Sequence, residues 1–313
     1  MPECFCRIGN IELCYESFGD SADPAMLLIM GLGTQMLGWQ DEFCEQLARR
    51  GFNVIRYDNR DIGHSTILDD YPAPTLGQLV RRDKRAVAYT LAELANDGVG
   101  LLDHLGIERA HLVGASMGGM IAQTIAARRP ERVLSLVSIM SNTGSRLSGQ
   151  PSLSTYRLFL RPLAREREQY VEQAAELFDH IGSRGFDRDD AAFREMLGAM
   201  HDRSHSPRSS SRQLAAILAA GNRTSELRHI TAPTLVIHGT ADKLIRPSGG
   251  RATKRAIPGA HLLTIEGMGH DLPRGAWPQI TDAIVENAAR AYGAAGTIVS
   301  GSPSGSSAVS NAG

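Results

Sequence analysis

Ser116 stands at the centre of Gly114-Ala115-Ser116-Met117-Gly118, after the apolar run His111-Leu112-Val113 and before a helix-like stretch opening with Met117-Gly118-Gly119-Met120-Ile121. A serine hydroxyl is a weak nucleophile until it is lifted into an open site and relieved of its proton. A strand, a sharp turn and a helix with serine at the apex do the first, because glycines on both sides let neighbouring backbone pack close. The second task needs a histidine and an acid. Asp242 ends His238-Gly239-Thr240-Ala241-Asp242, directly after the apolar segment Thr234-Leu235-Val236-Ile237. His270 ends Gly267-Met268-Gly269-His270, after His261-Leu262-Leu263-Thr264-Ile265. In a parallel α/β sheet the strand exits share one edge, where active sites form. Serine, acid, histidine is also the chain order expected of such an elbow. On this reading His270 takes the Ser116 proton, and Asp242 orients the imidazole and stabilises its cation. Each partner alone has a plainer alternative: Gly-Thr-Ala-Asp is a turn sequence, and the chain holds ten histidines. Asp271 is a poor acid for His270, because neighbouring side chains diverge.

A fourth element is required where negative charge develops. The apolar segment Met26-Leu27-Leu28-Ile29-Met30 runs into Gly31-Leu32-Gly33. A glycine-rich loop there can aim a backbone N–H at an oxyanion. The expected donors are the N–H groups of Leu32 and Met117.

These residues need a scaffold. Residues 3–9 and 11–17 alternate around Gly9-Asn10 and predict an antiparallel hairpin. Strands are predicted at 26–30, 53–57, 111–115, 132–140, 234–237 and 261–265. A helix is predicted over 39–50, ended by Gly51. Thr90-Leu91-Ala92-Glu93 is a capping box that opens another, with Leu91, Leu94, Leu101, Leu102 and Leu105 largely on one face. The helix after Ser116 stops at Pro130, and a last one is expected near 275–292. Residues 66–88 read as a long, partly basic connection. Strands alternating with helices indicate a mainly parallel sheet covered on both faces.

The alternation breaks near residue 142. Until about 230 the apolar spacing is helical: Val171, Ala174, Ala175, Phe178 and Ile181, then Phe193, Met196, Leu197 and Met200, then Leu214 to Leu218 before Gly221. The expected division is a core of residues 1–141 and 231–292, a helical cap of residues 142–230, and a tail of residues 293–313. The polar run 204–212 reads as a mobile solvated loop within the cap. Eleven of the last 21 residues are Gly or Ser, so the tail is expected to be disordered.

Taken together, the chain resembles an α/β-hydrolase. The resemblance rests on Met30-Gly31-Leu32-Gly33, on Tyr57-Asp58-Asn59-Arg60-Asp61-Ile62-Gly63-His64-Ser65, and on the three segments holding Ser116, Asp242 and His270. Within that fold it is most similar to actinobacterial esterases, the mycobacterial Lip-type lipase/esterases and the aclacinomycin methylesterase-like proteins. The resemblance implies a serine carboxylic-ester hydrolase working without a cofactor or metal through Ser116, His270 and Asp242. A cofactor-free perhydrolase, a carbon–carbon hydrolase and a non-catalytic ligand receptor on the same scaffold are the rivals. Two positions depart from many relatives: Met30 stands where they have histidine, and Asp61 where they have glycine. The Asp58/Arg60 loop reads as structural.

Composition excludes several classes. Lys plus Arg is 33 against 34 for Asp plus Glu, which gives no electrostatic case for nucleic acid or an anionic membrane. No run approaches the roughly 18–20 apolar residues of a transmembrane segment. The start, Met1-Pro2-Glu3-Cys4, is not a secretory signal, so a cytoplasmic protein is expected. The four cysteines, Cys4, Cys6, Cys14 and Cys44, lack metal-ligand spacing and are expected to be thiols. The partner implied is a small-molecule ester; nothing in the sequence sets an oligomeric state. Methionines gather at the motifs: Met30 and Met36 about the oxyanion loop, Met117 and Met120 after the serine, Met140 at a strand end, Met268 before His270, with Met196 and Met200 in the cap. Methionine suits surfaces that accept varied apolar shapes. The expected pocket comprises Met30, Gly31, Met36, Met140, Met196 and Met200; ordinary gap-filling in the core is the alternative.

Overall fold

The computed structural model describes residues 2–159 and 164–293. Most of the Gly/Ser-rich segment expected to be a disordered tail lies outside them. The eight strands are β1 (Cys4–Ile8), β2 (Ile11–Phe18), β3 (Ala25–Ile29), β4 (Asn53–Tyr57), β5 (Ala110–Ala115), β6 (Val133–Ile139), β7 (Thr234–Gly239) and β8 (His261–Ile265). They form one sheet in the order β1-β2-β4-β3-β5-β6-β7-β8. The β1/β2 and β2/β4 pairs are antiparallel, and every pair from β4/β3 to β7/β8 is parallel. The hairpin turns at Gly9-Asn10, with Gly9 at φ +62, as a two-residue turn with glycine first requires.

Helices α1 (Asp41–Ala48), α2 (Leu76–Arg81), α3 (Leu91–His104) and α4 (Met117–Arg128) precede β6. Helices α5 (Leu153–Phe159), α6 (Arg167–Ile181), α7 (Asp190–Arg203), α8 (Pro207–Ala220) and α9 (Thr224–Leu227) lie between β6 and β7. Then come α10 (Ser248–Ala256) and α11 (Trp277–Ala289). None of the described helices is long and apolar enough to cross a membrane. The period-2 alternation of the strands divides the core in two. Leu27, Ile29, Ile55 and Leu112 pack with Leu94, Leu101, Ile121 and Ile125 of α3 and α4. Met26, Leu28, Val54 and Val113 face the other way, onto Phe43 and Leu47 of α1 and Ile280 and Ile284 of α11.

Two sequence expectations need correction. Residues 66–88 are not a plain connection, because Thr75 opens α2 with a second capping box, its hydroxyl accepting from Gln78 N–H. Residues 204–212 are not a solvated loop either. Pro207 occupies the first turn of α8, a position proline favours, and Ser209 and Arg212 are fully buried. The polarity of that run marks buried ion pairing rather than solvent.

Backbone at the elbow is packed too tightly for side chains. A Cβ on Gly118 would overlap the Ile29 carbonyl, and one on Gly114 would overlap the Gly118 carbonyl. Gly106 takes φ +67 in open space instead. Gly118→Ala is therefore expected to destabilise by about 3 kcal/mol or more. Gly106→Ala, which meets only the left-handed backbone penalty, should cost about 1–2 kcal/mol. Urea unfolding of both measures this, and equal losses would contradict the close approach.

Candidate active site

Ser116 follows β5 directly and caps α4 with φ 55 and ψ −116, a conformation that non-glycine residues rarely adopt. Its N–H is anchored on Ile139 O at 2.9 Å. Its Oγ lies 3.0 Å from His270 Nε2. On the other side of the ring, His270 Nδ1 lies 2.8 Å from Asp242 Oδ2. A carboxylate only accepts, so Nδ1 carries hydrogen and Nε2 is left to accept from the serine hydroxyl. Asp242 Oδ1 takes the N–H groups of Leu244 (2.9 Å) and Ile245 (2.8 Å), which fixes the buried carboxylate. His238 Nε2 donates to Ile245 O at 2.7 Å and lies 3.5 Å from Asp242 Oδ2. Burial lowers the His238 pKa and favours a neutral ring beside the acid.

The sheet brings these groups together. β5, β6, β7 and β8 are successive parallel neighbours, so the exits holding Ser116, Asp242 and His270 open on one edge. The His270 loop is then fastened from the insertion between β6 and β7. His270 N–H donates to Ile181 O (2.8 Å) and Gly269 N–H to Ser183 Oγ (2.8 Å). The N–H groups of Arg184 and Gly185 both reach Gly267 O at 3.1 Å. Gly185 and Gly267 approach so closely that a Cβ on either would meet the other's Cα at 2.8 Å. Asp271 turns away to Ser183, whose N–H and hydroxyl both donate to it.

The loop after β3 lies against the serine: a Cβ on Gly31 would sit 3.1 Å from Ser116 Cβ. Thr34 N–H bonds Gly31 O at 3.3 Å and Gly33 has φ +66, so Leu32 and Gly33 are the central pair of a type II turn. Met117 is the first residue of α4, where a helix leaves N–H groups without intrahelical acceptors. Met30 supplies its carbonyl, which accepts from Asn59 Nδ2 at 3.0 Å. Its side chain turns into the core, where a Gly38 Cβ would meet Met30 Cε at 2.8 Å. Met117 and Met120 belong to one apolar cluster, and Met140 and Met268 to the other. Met36 and Met200 are buried outside both clusters, and Met196 is half-buried on α7.

The loop after β4 is an ionic hub. Asp58 accepts from Met36 N–H (2.7 Å) and His64 N–H (3.0 Å) and pairs with Arg203 at 2.6 Å. Arg60 grips Asp97 with two hydrogen bonds, at 2.5 and 2.6 Å. Asp61, at φ +71, pairs with Arg212. Burial alone would raise the Asp61 carboxyl; the Arg212 guanidinium, the Leu68 N–H and the Tyr89 hydroxyl together outweigh it and hold the pKa below the ordinary value. Among the described residues, one group of metal-capable side chains converges: Glu3, Cys14 and His64. Arg203 already donates to Glu3 (2.8 Å) and to Cys14 Sγ (3.4 Å), so a cation occupies that position, and burial pushes the Cys14 thiol up. Arg203, Arg212, Gln213 and Ser183 escaped the motif reading because their partners are distant in sequence. The only available signal was a polar run beside Pro207.

A family model described as the alpha/beta hydrolase fold matches residues 24–273. Rhodomycin D methylesterase of Streptomyces sp. (strain C5) is 31% identical over 305 residues, covering 91% of this chain and 97% of that protein. The 3-oxoadipate enol-lactonase of Acinetobacter baylyi is 26% identical, covering 82% and 89%. Among solved structures, a hydrolase from Pseudomonas aeruginosa PA01 superposes with a TM-score of 0.68 at 25% identity, covering 93% of this chain and 98% of that one.

The two candidate acids are separable by substitution. Asp242→Asn should lower kcat by about 10⁴, because the amide favours the wrong imidazole tautomer. Asp271→Asn should leave far more activity, since its carboxylate serves Ser183. Steady-state kinetics on one p-nitrophenyl ester compares them, and equal losses would contradict the assignment.

Proposed function

Since the chain belongs to the alpha/beta hydrolase fold family and is an ester hydrolase, we propose that Ser116, His270 and Asp242 carry out the reaction as a nucleophile, base and acid triad. The single observation behind this reading is the unbroken line of hydrogen bonds from Ser116 Oγ through the His270 ring to Asp242. Ser116 Oγ attacks the ester carbonyl as His270 Nε2 takes its proton. The N–H groups of Leu32 and Met117 hold the oxyanion. His270 then passes the proton to the leaving alcohol. Water attacks the acyl-enzyme by the same route, releasing the acid and restoring the serine.

The substrate class we infer is the methyl or other small-alkyl ester of an apolar acid. Similarity to a methylesterase along nearly the full length of both chains supports it. We read the helical insertion, residues 142–230, as a cap over the strand exits, because its hydrogen bonds reach the loops holding His270 and Gly33. Among the described residues, Met36, Met196 and Met200 are the methionines free of the core clusters, and they are the ones offered to an apolar substrate group. All four cysteines are unpaired thiols, three of them buried, which fits work in a reducing cytoplasm.

Ser116→Ala should lower kcat by about 10⁶ and abolish labelling by a fluorophosphonate. Labelling that survives the substitution would remove Ser116 as nucleophile. In a series of p-nitrophenyl esters of rising acyl length, kcat/KM should hold or rise beyond acetate. A sharp preference for acetate would contradict the apolar pocket.

A further inference from the structure

Helix α8 reaches the oxyanion loop through one side chain. Gln213 is fully buried; its Oε1 accepts Gly33 N–H at 2.9 Å and its Nε2 donates to Arg60 O at 3.1 Å. It therefore bridges the loop after β3 to the loop after β4. Gly33 N–H belongs to the central peptide of the Leu32/Gly33 turn. Type I and type II turns differ mainly by a flip of that peptide, so an acceptor fixed on one side selects between them. The Leu32–Gly33 peptide is thereby held in one orientation, and the turn that presents the Leu32 N–H is anchored to α8. The neighbouring Ser210 closes the same contact, since a Cβ on Gly33 would meet Ser210 Oγ at 2.8 Å.

The register of α8 is fixed one residue earlier. Arg212 Nε and Nη2 each donate to Asp61 at 2.6 Å, and Arg212 Nη1 donates to Tyr71 O at 3.1 Å. Asp61 also accepts from Tyr89 Oη (2.9 Å), Ser209 Oγ (3.1 Å) and Leu68 N–H (3.0 Å). Its φ of +71 is unfavourable for a residue with a Cβ and persists because the surrounding donors determine it. Both loops that Gln213 joins are thus held to the same helix.

We propose that Gln213 is a positioning residue for ester hydrolysis: it sets the oxyanion turn from the insertion, and the Arg212–Asp61 pair holds it in register. Seating of α8 is then a condition for turnover and not only for enclosing substrate. The inference rests on the reading above that Leu32 N–H receives the oxyanion. A residue that only lines the pocket would act on substrate affinity. A residue that sets an oxyanion donor acts on the transition state, and so on kcat.

Gln213→Met keeps the volume and removes both hydrogen bonds. With a p-nitrophenyl ester, kcat should fall about 10- to 100-fold with KM nearly unchanged, below the loss of about 10²–10³ from deleting an oxyanion donor outright. Binding of a phenylboronic acid, which forms a tetrahedral adduct on the serine, should weaken by a similar factor. Gln213→Glu keeps an acceptor for Gly33 N–H. Its kcat should recover toward the parent as pH falls, because the protonated carboxyl can also donate to Arg60 O; if the methionine variant does not fold, this recovery decides the matter. An unchanged kcat, a change confined to KM, or a glutamate variant without that recovery would overturn the proposal. Fluorophosphonate labelling of Ser116 in the parent separates the two readings. If Ser116 labels and Gln213→Met turns over normally, the positioning role alone fails; if Ser116 does not label, the triad reading fails with it.

Discussion

Close contact between main chains at the turn that carries Ser116 is the constraint on which the rest is built. β3, β5 and the first turn of α4 meet where Gly114 and Gly118 leave no room for a Cβ. Gly119 adds to this, since a Cβ there would sit 2.7 Å from Ser141 Cβ. Only with α4 drawn down onto the strands can Ser116 stand at φ 55 with its hydroxyl toward the sheet edge. The same proximity lays Gly31 against the serine, so the proposed nucleophile and the loop proposed to hold the oxyanion are placed by one packing event. α4 shows the consequence along its length: every residue from Met117 to Ala126 is buried. A helix that is largely apolar on all sides belongs inside a protein, and here it forms the floor of the site.

Around that floor, charge takes over from apolar packing. The loop after β4 sends three charged side chains in three directions: Asp58 to Arg203, Arg60 to Asp97 and Asp61 to Arg212. Beneath it Arg56, itself buried, pairs with Glu16 and Asp41. Buried ion pairs add little net stability, because desolvation offsets most of the attraction. They are intolerant of misplacement, however, since a displaced partner leaves a charge stranded in a low-dielectric interior. Such pairs suit loops that must sit in one arrangement while lacking the side-chain volume to pack into it. Arg223 is a contrasting case. It binds the carbonyls of Met120 and Asn142 and the Gln123 amide oxygen, and burial lowers its pKa to about 10.

Much of this was legible in the sequence, for physical reasons. Strand exits are marked by apolar runs that end in glycine, so the sequence alone puts Ser116, Asp242 and His270 on one edge. The hairpin at Gly9-Asn10 and the helix opened by Thr90 and Glu93 are local features and appear as read. Sequence pattern is silent where meaning depends on a distant partner. Residues 204–212 have the composition of a solvated loop, and Arg212 looks like a surface cation until Asp61 is found opposite. Asp61 stands where many relatives have glycine, and its left-handed backbone explains why glycine is common there. The carboxylate that replaces it acquires its purpose only from a helix some 150 residues away in sequence. Helix α2 is hard to read for a different reason: its capping box and the Leu76, Leu79, Val80 spacing are present, but six residues are too few to establish a period and none of them is buried.

The paired glycines at 185 and 267 bear on how such a protein could be redesigned. Two bare backbones in contact form a joint with no side chain to trim or enlarge, so neither surface can adapt to a new mate. An insertion transplanted wholesale from another hydrolase would have to reproduce that seam, together with the hydrogen bonds that flank it, before the imidazole returned to its place. Specificity in this scaffold is better altered one lining side chain at a time than by exchanging modules.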